Sequence, residues 1–388
     1  MRISFVITNG PSLTGGLERV CLRLAQHLGE GPAGNRIACR FSRSRQNLAG
    51  YFLHHEPRGT VLLGEVPVTT LSPAWARRQL LRPVLRLSCR PSTHGLARQL
   101  YEKALLPELI EASRGADLIH YLGSAGEMLG FAACRAAKEL GLPFVVEPAV
   151  HPGQWGDSWG DRILYERADR VLAHSEHEAE VLVEMGVARD RVFAVTHGVD
   201  LGSGGDGNRF RSGHGIAGPM LLFLGRKTEA KGVTRCIDAF TRIRQRFPSA
   251  TLVLVGPTEG KSVARLPDGV LDLDDVSEEM KQDALAACDL LCVPSEGESF
   301  GMVYFEAWAY HKPVVALDLP TLRETVGETG GGLLVGTDPA DIAAAMGRLL
   351  ESPELRQELG AAGKRAAVRH EWTMAARDYE RLLTPLLR

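Results

Sequence analysis

Disulfide pairing and cysteine-based zinc sites have little support in this sequence. It contains seven cysteines, an odd number, and no Cys-x-x-Cys pair. Cys288 and Cys292 are separated by three residues and have no matching cysteine or histidine cluster. Disulfide frameworks use even numbers of cysteines at regular spacings, and structural zinc sites need four placed ligands. The cysteines therefore predict a reducing, cytoplasmic setting.

Long apolar runs are also missing. No run approaches the roughly 18 residues that a membrane-spanning helix needs. The opening segment MRISFVITNG has one arginine and a short apolar run, which is too short for the apolar region of a signal peptide. The segment predicts a first buried strand, and the protein is expected to be soluble.

A large excess of charge of either sign is absent. The net charge is −2 at pH 7, which argues against a dedicated nucleic-acid binder. The charge is unevenly distributed, because residues 36–103 hold twelve Lys/Arg and three acids, a net of +9. In this stretch Arg78, Arg82 and Arg86 have helical spacing, although Pro83 interrupts such a helix. Two interpretations stay open: a solvated basic face, or a peripheral contact with the inner face of a membrane or an acidic acceptor.

Short β-branched runs alternate with helical patterns along the 388 residues. This length exceeds one ordinary core, and the alternation predicts parallel sheets with helices on both faces. The predicted strands are Ile3–Ile7, Leu118–Leu122, Pro143–Glu147, Arg170–His174, Val192–Thr196, Met220–Leu224, Thr251–Val255, Asp289–Val293, Pro313–Leu317 and Gly332–Val335. The predicted helices are Glu18–Leu28, Gly126–Leu140, Glu176–Met185, Val233–Phe247, Glu278–Cys288 and Met374–Leu387.

A glycine-rich segment divides the two halves. Residues 198–218 hold eight glycines and almost no apolar bulk, which predicts a flexible linker. The predicted fold class is α/β, with one Rossmann-like domain over 1–200 and another over 201–370. A last helix within 371–388 is expected to cross back onto the N-terminal domain. Ligands of such folds bind outside the carboxyl ends of the strands.

The strongest functional pattern is ESFGMVYFE, from Glu298 to Glu306. It follows a predicted strand through a short loop and continues as a helix after Gly301. A helix that opens at the carboxyl end of a strand leaves unpaired N–H groups, which suit phosphate or sugar oxygens. The two carboxylates then lie about two turns apart along the pattern. The alternative is a solvated acidic loop followed by a glutamate on a helix surface.

Two other loops follow the first strand of each predicted domain. The segment FLGRKTEAKG, residues 223–232, places Arg226 and Lys231 on a glycine-containing loop, where they suit a diphosphate. The segment TGGLER, residues 14–19, places Gly16 where backbone can approach a ligand closely. Taken alone, either loop also fits an ordinary βα turn.

Together these segments resemble the retaining GT-B glycosyltransferases of the family 4 type, over essentially the whole chain. The resemblance implies two Rossmann-like domains with a cleft between them. It implies transfer of a hexose-type sugar from a nucleoside-diphosphate sugar, UDP favoured, to an unidentified small-molecule, glycan or lipid-linked acceptor. No metal ion or other cofactor is expected. The donor is expected on the C-terminal domain and the acceptor on the N-terminal domain.

The resemblance also implies residue roles. Arg226 and Lys231 would neutralise the departing diphosphate, whose negative charge develops in the transition state. Glu298 would contact hydroxyls of the transferred sugar, and His151 matches the family's N-domain histidine near the anomeric centre. The remaining donor contacts would be Gly16 from the other domain, the backbone of Phe300, Gly301 and Met302, and Glu306 on the ribose hydroxyls.

Acceptor binding has one candidate segment, directly after His151. It contains Trp155, Asp157 and Trp159. Tryptophan faces can stack on a sugar or ring, and the aspartate can accept hydrogen bonds from hydroxyls. A loop packed by its own tryptophans is an equally good interpretation.

Other functions stay open. His174, His177 and Glu178 have the residue types of metal ligands but no further placed ligand, so no metal site is predicted. GPTEGKS, residues 256–262, is one residue short of a phosphate-binding P-loop. The first loop lacks the GxGxxG of a dinucleotide-dependent oxidoreductase. Within the resembled family, the alternatives are a catalytically silent subunit that binds nucleotide and activates a partner, and an epimerase or phosphorylase.

Overall fold

The computed structural model describes residues 1–11, 15–42, 52–202, 204–258, 266–274 and 276–387. The chain divides into two compact units, one of Met1–Gly198 with Trp372–Arg388 and one of Val199–Glu371. Within the described ranges, none of the helices is both long and apolar enough to cross a lipid bilayer.

The N-terminal unit is built on one eight-stranded sheet. Its strands are β1 Ile3–Asn9, β2 Arg36–Phe41, β3 Gly59–Leu63, β4 Val66–Thr70, β5 Leu118–Leu122, β6 Phe144–Glu147, β7 Arg170–Ala173 and β8 Val192–Ala194. Their order across the sheet is β3-β4-β2-β1-β5-β6-β7-β8. All neighbouring pairs are parallel except β3 with β4, which form an antiparallel edge.

Helices cover this sheet and supply the crossovers that parallel strands require. They are α1 Gly16–His27, α2 Pro91–Ser113, α3 Leu129–Leu140, α4 Trp159–Tyr165 and α5 Glu176–Glu184. Side-chain caps begin two of them, because Ser158 accepts from the Asp161 amide and Ser175 from the Glu178 amide. The central strands β1 and β5 are buried almost throughout and mostly apolar, as expected for parallel strands covered on both faces.

The C-terminal unit has a six-stranded sheet in which every neighbouring pair is parallel. Its strands are β9 Met220–Leu224, β10 Thr251–Val255, β11 Val270–Leu273, β12 Leu290–Cys292, β13 Val314–Leu317 and β14 Gly332–Val335, in the order β11-β10-β9-β12-β13-β14. Its helices are α6 Gly207–Gly213, α7 Val233–Ile243, α8 Glu278–Ala287, α9 Met302–Ala309, α10 Pro339–Glu351 and α11 Pro353–Arg369.

The last helix, α12 Trp372–Leu383, belongs to the N-terminal unit. The Trp372 ring stacks on His27 of α1, with 6.0 Å between ring centroids. The Gly29 amide donates to Glu380 at 2.9 Å. Tyr379 is buried, and its hydroxyl donates to Glu147 at the end of β6. A stacked ring, a backbone hydrogen bond and a buried polar contact thus fix this helix to the unit.

The glycine-rich segment is not a flexible linker throughout. Residues 207–213 form helix α6, because the Asp206 carboxylate accepts from the amides of Asn208 and Arg209. Phe210 is buried in the core of the C-terminal unit. The Arg209 guanidinium also donates to Asp283 of α8 at 2.7 Å. The buried Phe210 ring and the Arg209–Asp283 ion pair therefore order a stretch that composition alone describes as flexible.

Several elements escape the sequence pattern. Strands β2, β3, β4 and β11 and helices α2, α4, α10 and α11 were not predicted. The sequence of β2, RIACRF, contains two arginines, yet the strand is buried. Arg40 is fully buried, and its guanidinium donates to the carbonyls of Leu71 and His54. The basic segment after β4 forms short helical pieces, Trp75–Arg78, Gln79–Leu81 and Val84–Ser88, and no continuous helix carries the arginines across Pro83.

Candidate functional site

Two loops at the carboxyl edge of the C-terminal sheet hold the predicted donor residues. Residues 225–232 follow β9 and residues 293–301 follow β12, the neighbouring parallel strand. The Glu296 amide donates to the Ala230 carbonyl at 2.8 Å and fixes one loop against the other. Gly232 has φ 75°, and a Cβ there would lie 2.1 Å from the Pro294 carbonyl oxygen. Only glycine therefore allows this close approach of the two loops.

Lys231 and Glu298, one from each loop, form an ion pair. Lys231 Nζ lies 2.6 Å from Glu298 Oε1, and the two side chains are 22% and 9% exposed. The Thr321 hydroxyl, after β13, donates to the Glu298 backbone carbonyl at 2.8 Å. The loops after three neighbouring strands, β9, β12 and β13, thus orient one cation and one carboxylate. Such a pair presents a donor to phosphate oxygens and an acceptor to sugar hydroxyls.

Helix α9 begins four residues after Glu298, with Gly301 as its N-cap. Gly301 has φ 84°, and a Cβ there would come within 2.6 Å of the Tyr304 ring. The Tyr304 hydroxyl donates to the Val293 carbonyl at 2.8 Å, and Phe300 stacks on Phe305 at 4.7 Å between centroids. Burial raises the pKa of Tyr304 far above its usual value, and the charge of Glu298 adds to this effect. The tyrosine therefore stays a neutral donor that ties the helix to the strand.

Glu306 lies in the second turn of α9, half-buried as is Met302 at the helix start. Lys281 of α8 donates to Glu306 Oε1 at 3.0 Å and also contacts Glu278 at 2.8 Å. The Lys281 and Glu306 side chains are 12% and 18% exposed. A partly exposed carboxylate with a fixed orientation can accept two adjacent hydroxyls.

A second lysine of the β9 loop, Lys227, contacts the acidic stretch after β10 and not Glu298. Lys227, whose side chain is 5% exposed, forms an ion pair with Asp272 and donates to the Leu273 carbonyl at 3.3 Å. This pair neutralises part of the acidic stretch 271–275, of which Asp275 lies outside the described residues. Arg226 on the same loop is exposed. Of the P-loop-like segment, residues 259–262 also lie outside the described residues.

In the N-terminal unit, Gly16 begins α1 after β1, while Thr14 of the same predicted loop lies outside the described residues.

A buried polar group lies at the same carboxyl edge of the sheet. Thr8 Oγ1 donates to Glu127 Oε2, and the Tyr121 hydroxyl lies 3.1 Å from the same oxygen. Burial raises the pKa of Glu127 to about 7, although the hydrogen bonds from Thr8 and Tyr121 lower it.

His151 lies in a tight turn that follows β6. The His151 and Trp155 backbones pair with each other, and Ala149 has φ 56°. His151 Nδ1 lies 3.1 Å from the Ala149 carbonyl oxygen. A carbonyl only accepts, so Nδ1 is the donor in this contact.

The proposed acceptor residues share this turn and the helix after it. Trp155 and Trp159 are 41% and 44% exposed. The Asp157 carboxylate accepts from the Gly153 amide at 2.5 Å, which closes the turn. Trp159 begins α4 and meets His94 edge-on at 4.5 Å between centroids. Asp157 therefore has a structural contact, and Trp155 presents its ring at the surface.

A buried histidine–glutamate cluster surrounds Glu147, the last residue of β6, and of its members the sequence analysis singled out only His174. Glu147 is fully buried beside His120, His174 and His197. Burial raises the pKa of Glu147, but its contacts with these histidines outweigh that effect and hold the pKa well below the usual range. Burial lowers the pKa of His174, whereas Glu178 and Glu147 raise it more, so the net shift is upward.

The sequence-predicted residues thus fall into two sets. In the C-terminal unit the structure brings Lys231 and Glu298 into contact and places Phe300, Gly301 and Met302 beside them, with Glu306 further along the same helix. Gly16, His151 and the tryptophan segment lie in the N-terminal unit. Lys227, Lys281 and Thr321 were missed, because no motif marks a lone lysine or threonine in a single sequence.

Family models match both units. The N-terminal unit matches a glycosyl transferase 4-like domain over residues 15–198, and the C-terminal unit matches glycosyl transferases group 1 over residues 218–352. A phosphatidyl-myo-inositol mannosyltransferase of Mycobacterium tuberculosis is 34% identical over 199 residues, 48% of this chain and 52% of the relative. Matches to this relative and to D-inositol 3-phosphate glycosyltransferases of Thermomonospora curvata and Nocardia farcinica span about half the length of each relative.

One relative matches over a longer span. A D-inositol 3-phosphate glycosyltransferase of Frankia alni is 31% identical over 309 residues, 69% of this chain and 75% of the relative. Among solved structures, Anabaena HepE in complex with UDP and glucose superposes with a TM-score of 0.76 at 19% identity, over 99% of both chains. That identity supports the fold alone. The two parallel-sheet units, the two family matches and the long match to the Frankia protein show that this chain belongs to the GT-B glycosyltransferases.

Proposed function

We propose that this chain transfers a hexose-type sugar from a nucleoside-diphosphate sugar, UDP favoured, to a hydroxyl of a small-molecule, glycan or lipid-linked acceptor, with retention at the anomeric carbon. The observation that carries this proposal is the Lys231–Glu298 pair, 2.6 Å apart at the start of α9. It places a cation, a carboxylate and a helix N-terminus together at the carboxyl edge of a parallel sheet, where nucleotide ligands bind.

The chemistry follows from the charge that develops. As the bond from C1 of the sugar to the phosphate oxygen breaks, the nucleoside diphosphate gains negative charge, which Lys231 and Arg226 stabilise more in the transition state than in the ground state. The acceptor oxygen bonds to C1 on the same face, and its proton passes to the departing phosphate oxygen. Glu298 accepts hydrogen bonds from the hydroxyls of the transferred sugar. With two cations on the diphosphate, we propose that this step uses no metal ion.

We propose that the nucleoside binds to Glu306. Glu306, oriented by Lys281, lies in the second turn of α9 and is proposed to hold the two ribose hydroxyls. The complex of HepE with UDP and glucose supports UDP as the first donor to test. We propose that the C-terminal unit binds the donor.

The acceptor is proposed to bind the N-terminal unit, where Trp155 presents a ring that can stack on a cyclic polyol. Curated relatives are named phosphatidyl-myo-inositol mannosyltransferase and D-inositol 3-phosphate glycosyltransferase. These names make inositol, inositol phosphates and phosphatidylinositol the first acceptors to test. Peripheral membrane contact through residues 36–103 stays a prediction, and flotation with anionic vesicles tests it.

The experiment is a transfer assay read by NMR. The protein is incubated with UDP-glucose, other α-linked nucleotide sugars and the acceptor panel, and the anomeric coupling of the product is recorded. An α-linked product supports the retaining transferase, whereas a β-linked product contradicts retention. Nucleotide binding without turnover across the panel would instead favour the silent subunit.

A further inference from the structure

Three residues with metal-binding side chains lie at the ends of three adjacent strands in the N-terminal unit. Glu147 is the last residue of β6, His174 directly follows β7, and His197 lies three residues beyond β8. These strands are parallel neighbours, so their carboxyl ends meet at one edge of the sheet. The sheet topology therefore assembles the cluster from three separate parts of the sequence.

The spacing of the donor atoms matches a coordination shell. Glu147 Oε1 lies 3.2 Å from His174 Nε2 and 3.7 Å from His197 Nε2. Each residue offers one ligand atom, and these atoms all lie within 4.8 Å of one another. In a tetrahedral zinc site with bonds of about 2.0–2.1 Å, neighbouring ligand atoms are about 3.3 Å apart. One ion can therefore reach all of these atoms after small side-chain movements.

The environment favours a cation among these side chains. The side chains of Glu147, His174 and His197 are 0%, 5% and 1% exposed. Water therefore does not solvate the charge of the carboxylate, which needs a positive partner within the protein. The His174 and His197 rings lie 3.9 Å apart between centroids, edge to face. Two imidazolium rings at this separation repel each other. A divalent ion with two neutral imidazoles supplies the positive charge without this repulsion.

Neighbouring groups hold the three side chains in place, as outer contacts do in known metal sites. His120 Nε2 lies 3.0 Å from Glu147 Oε2, the other carboxylate oxygen. The Tyr379 hydroxyl of α12 donates to Glu147 Oε1 at 2.9 Å. The Glu178 carboxylate accepts from the His174 backbone amide and so fixes the backbone of one ligand.

We propose that Glu147, His174 and His197 bind a divalent first-row transition metal, with Zn²⁺ as the best match, at a buried site of the N-terminal unit that supplies three protein ligands. Two imidazoles and one carboxylate form a donor set that zinc accepts. The ion joins the ends of β6, β7 and β8 and, through Tyr379, the last helix. It has no part in neutralising the donor diphosphate, and the inference does not depend on the proposed transferase activity.

The first test needs no substitution. The full-length protein is stripped with dipicolinate, reloaded with Zn²⁺ or Co²⁺, desalted and analysed for metal by mass spectrometry. One equivalent per chain, a Co²⁺ visible spectrum of tetrahedral or five-coordinate type, and a melting temperature raised by reloading are expected. No retained metal and no Co²⁺ spectrum would overturn the proposal and leave a hydrogen-bonded histidine–glutamate network.

Variants then locate the ion. Glu147→Gln and His197→Ala are expected to lose the equivalent of metal, and His120→Gln to weaken metal affinity by about 10- to 100-fold through the outer contact. His177→Ala is the matched control, because His177 lies three residues after His174, on helix α5, and outside the cluster. Metal retained in the cluster variants, or lost in His177→Ala, would show an adventitious ion only. If a cluster variant does not fold, the Co²⁺ spectrum of the unaltered protein decides the question.

Discussion

Lys231 Nζ and Glu298 Oε1 are 2.6 Å apart, although 67 positions separate the two residues in the sequence. The contact depends on β9 and β12 being parallel neighbours, so that the loops after them meet at one edge of the sheet. When a ligand with an anionic group and hydroxyls binds, Lys231 can contact the anion and Glu298 the hydroxyls, so that each side chain exchanges its present partner for the ligand. Donor binding in the proposed function rests on this exchange.

Substitution of Lys231 by Gln tests the cation of the pair. We expect kcat/KM for transfer to fall by about 10²–10³-fold, because one preorganised donor to the departing diphosphate is lost. The circular dichroism spectrum should stay unchanged. Glu296→Gln is the matched control, since Glu296 lies two residues from Glu298 and pairs with Arg235. Equal losses in both variants would contradict a specific role for Lys231.

Substitution of Glu306 by Gln tests the ribose contact. The native protein is expected to bind UDP more tightly than 2′-deoxy-UDP, and the variant to lose most of this preference, because a charged acceptor of hydroxyl hydrogen bonds is removed. Isothermal titration calorimetry measures both affinities. Glu278→Gln is the control, because Glu278 also contacts Lys281 but is 58% exposed. An unchanged preference in Glu306→Gln would place the ribose elsewhere.

Stability should depend on pH through Glu127. Burial raises its pKa to about 7 in the folded protein, from an ordinary value of about 4.5. Between these values the folded protein keeps a proton that the unfolded chain has released, so stability falls as pH rises through the window from about 4.5 to 7. For Glu127 this loss is at most about 3 kcal/mol. Glu127→Gln removes it and keeps an amide next to Thr8 and Tyr121.

Urea unfolding at pH 5 and pH 8 measures this effect. The native protein should lose more unfolding free energy between the two pH values than Glu127→Gln does. Glu139→Gln is the control, because Glu139 is 42% exposed in a helix-surface pair with Arg135. Parallel pH dependence of the native protein and Glu127→Gln would show that this carboxyl titrates normally.

Gly301 is expected to be irreplaceable at the start of α9. Gly301→Ala combines a left-handed backbone, which costs an L-residue about 1–2 kcal/mol, with a Cβ 2.6 Å from the Tyr304 ring. Gly330→Ala is matched, because its φ is 65° and its Cβ would meet only Ala362, at 4.0 Å. Thermal unfolding should show the larger loss for Gly301→Ala, together with weaker UDP binding. Similar behaviour of the two variants would contradict a packing role for Gly301.

Sequence pattern predicted most of the buried strands, because parallel strands covered on both faces are short apolar runs. Strands Leu118–Leu122, Met220–Leu224, Thr251–Val255 and Gly332–Val335 match the predicted bounds residue for residue. The pattern failed where charge sits inside an element or where one side chain orders a polar stretch. Arg40 within β2 and Phe210 within the glycine-rich segment are the clearest examples.

The candidate site was predictable only in part. The segments holding Lys231, Glu298 and Glu306 are compact motifs at strand ends, but their partners Thr321 and Lys281 come from other segments without a motif. The buried cluster had a usable signal, because Glu147, His174 and His197 each lie at or just after a predicted strand. Only the order of strands in the sheet shows that these ends are adjacent.

Nucleotide binding tests the central claim most directly. Thermal unfolding of the native protein, Lys231→Gln and Glu306→Gln is measured with UDP, GDP, ADP, TDP and NAD, each with and without EDTA. A ligand at a hundred times its dissociation constant stabilises by about 2.7 kcal/mol. The shift caused by the ligand is compared at constant EDTA, so that loss of a buried metal does not enter the comparison. We expect a shift with one nucleoside diphosphate, UDP first, that EDTA leaves unchanged and that both variants reduce. No shift with any nucleoside diphosphate, or a shift with NAD alone, would contradict it.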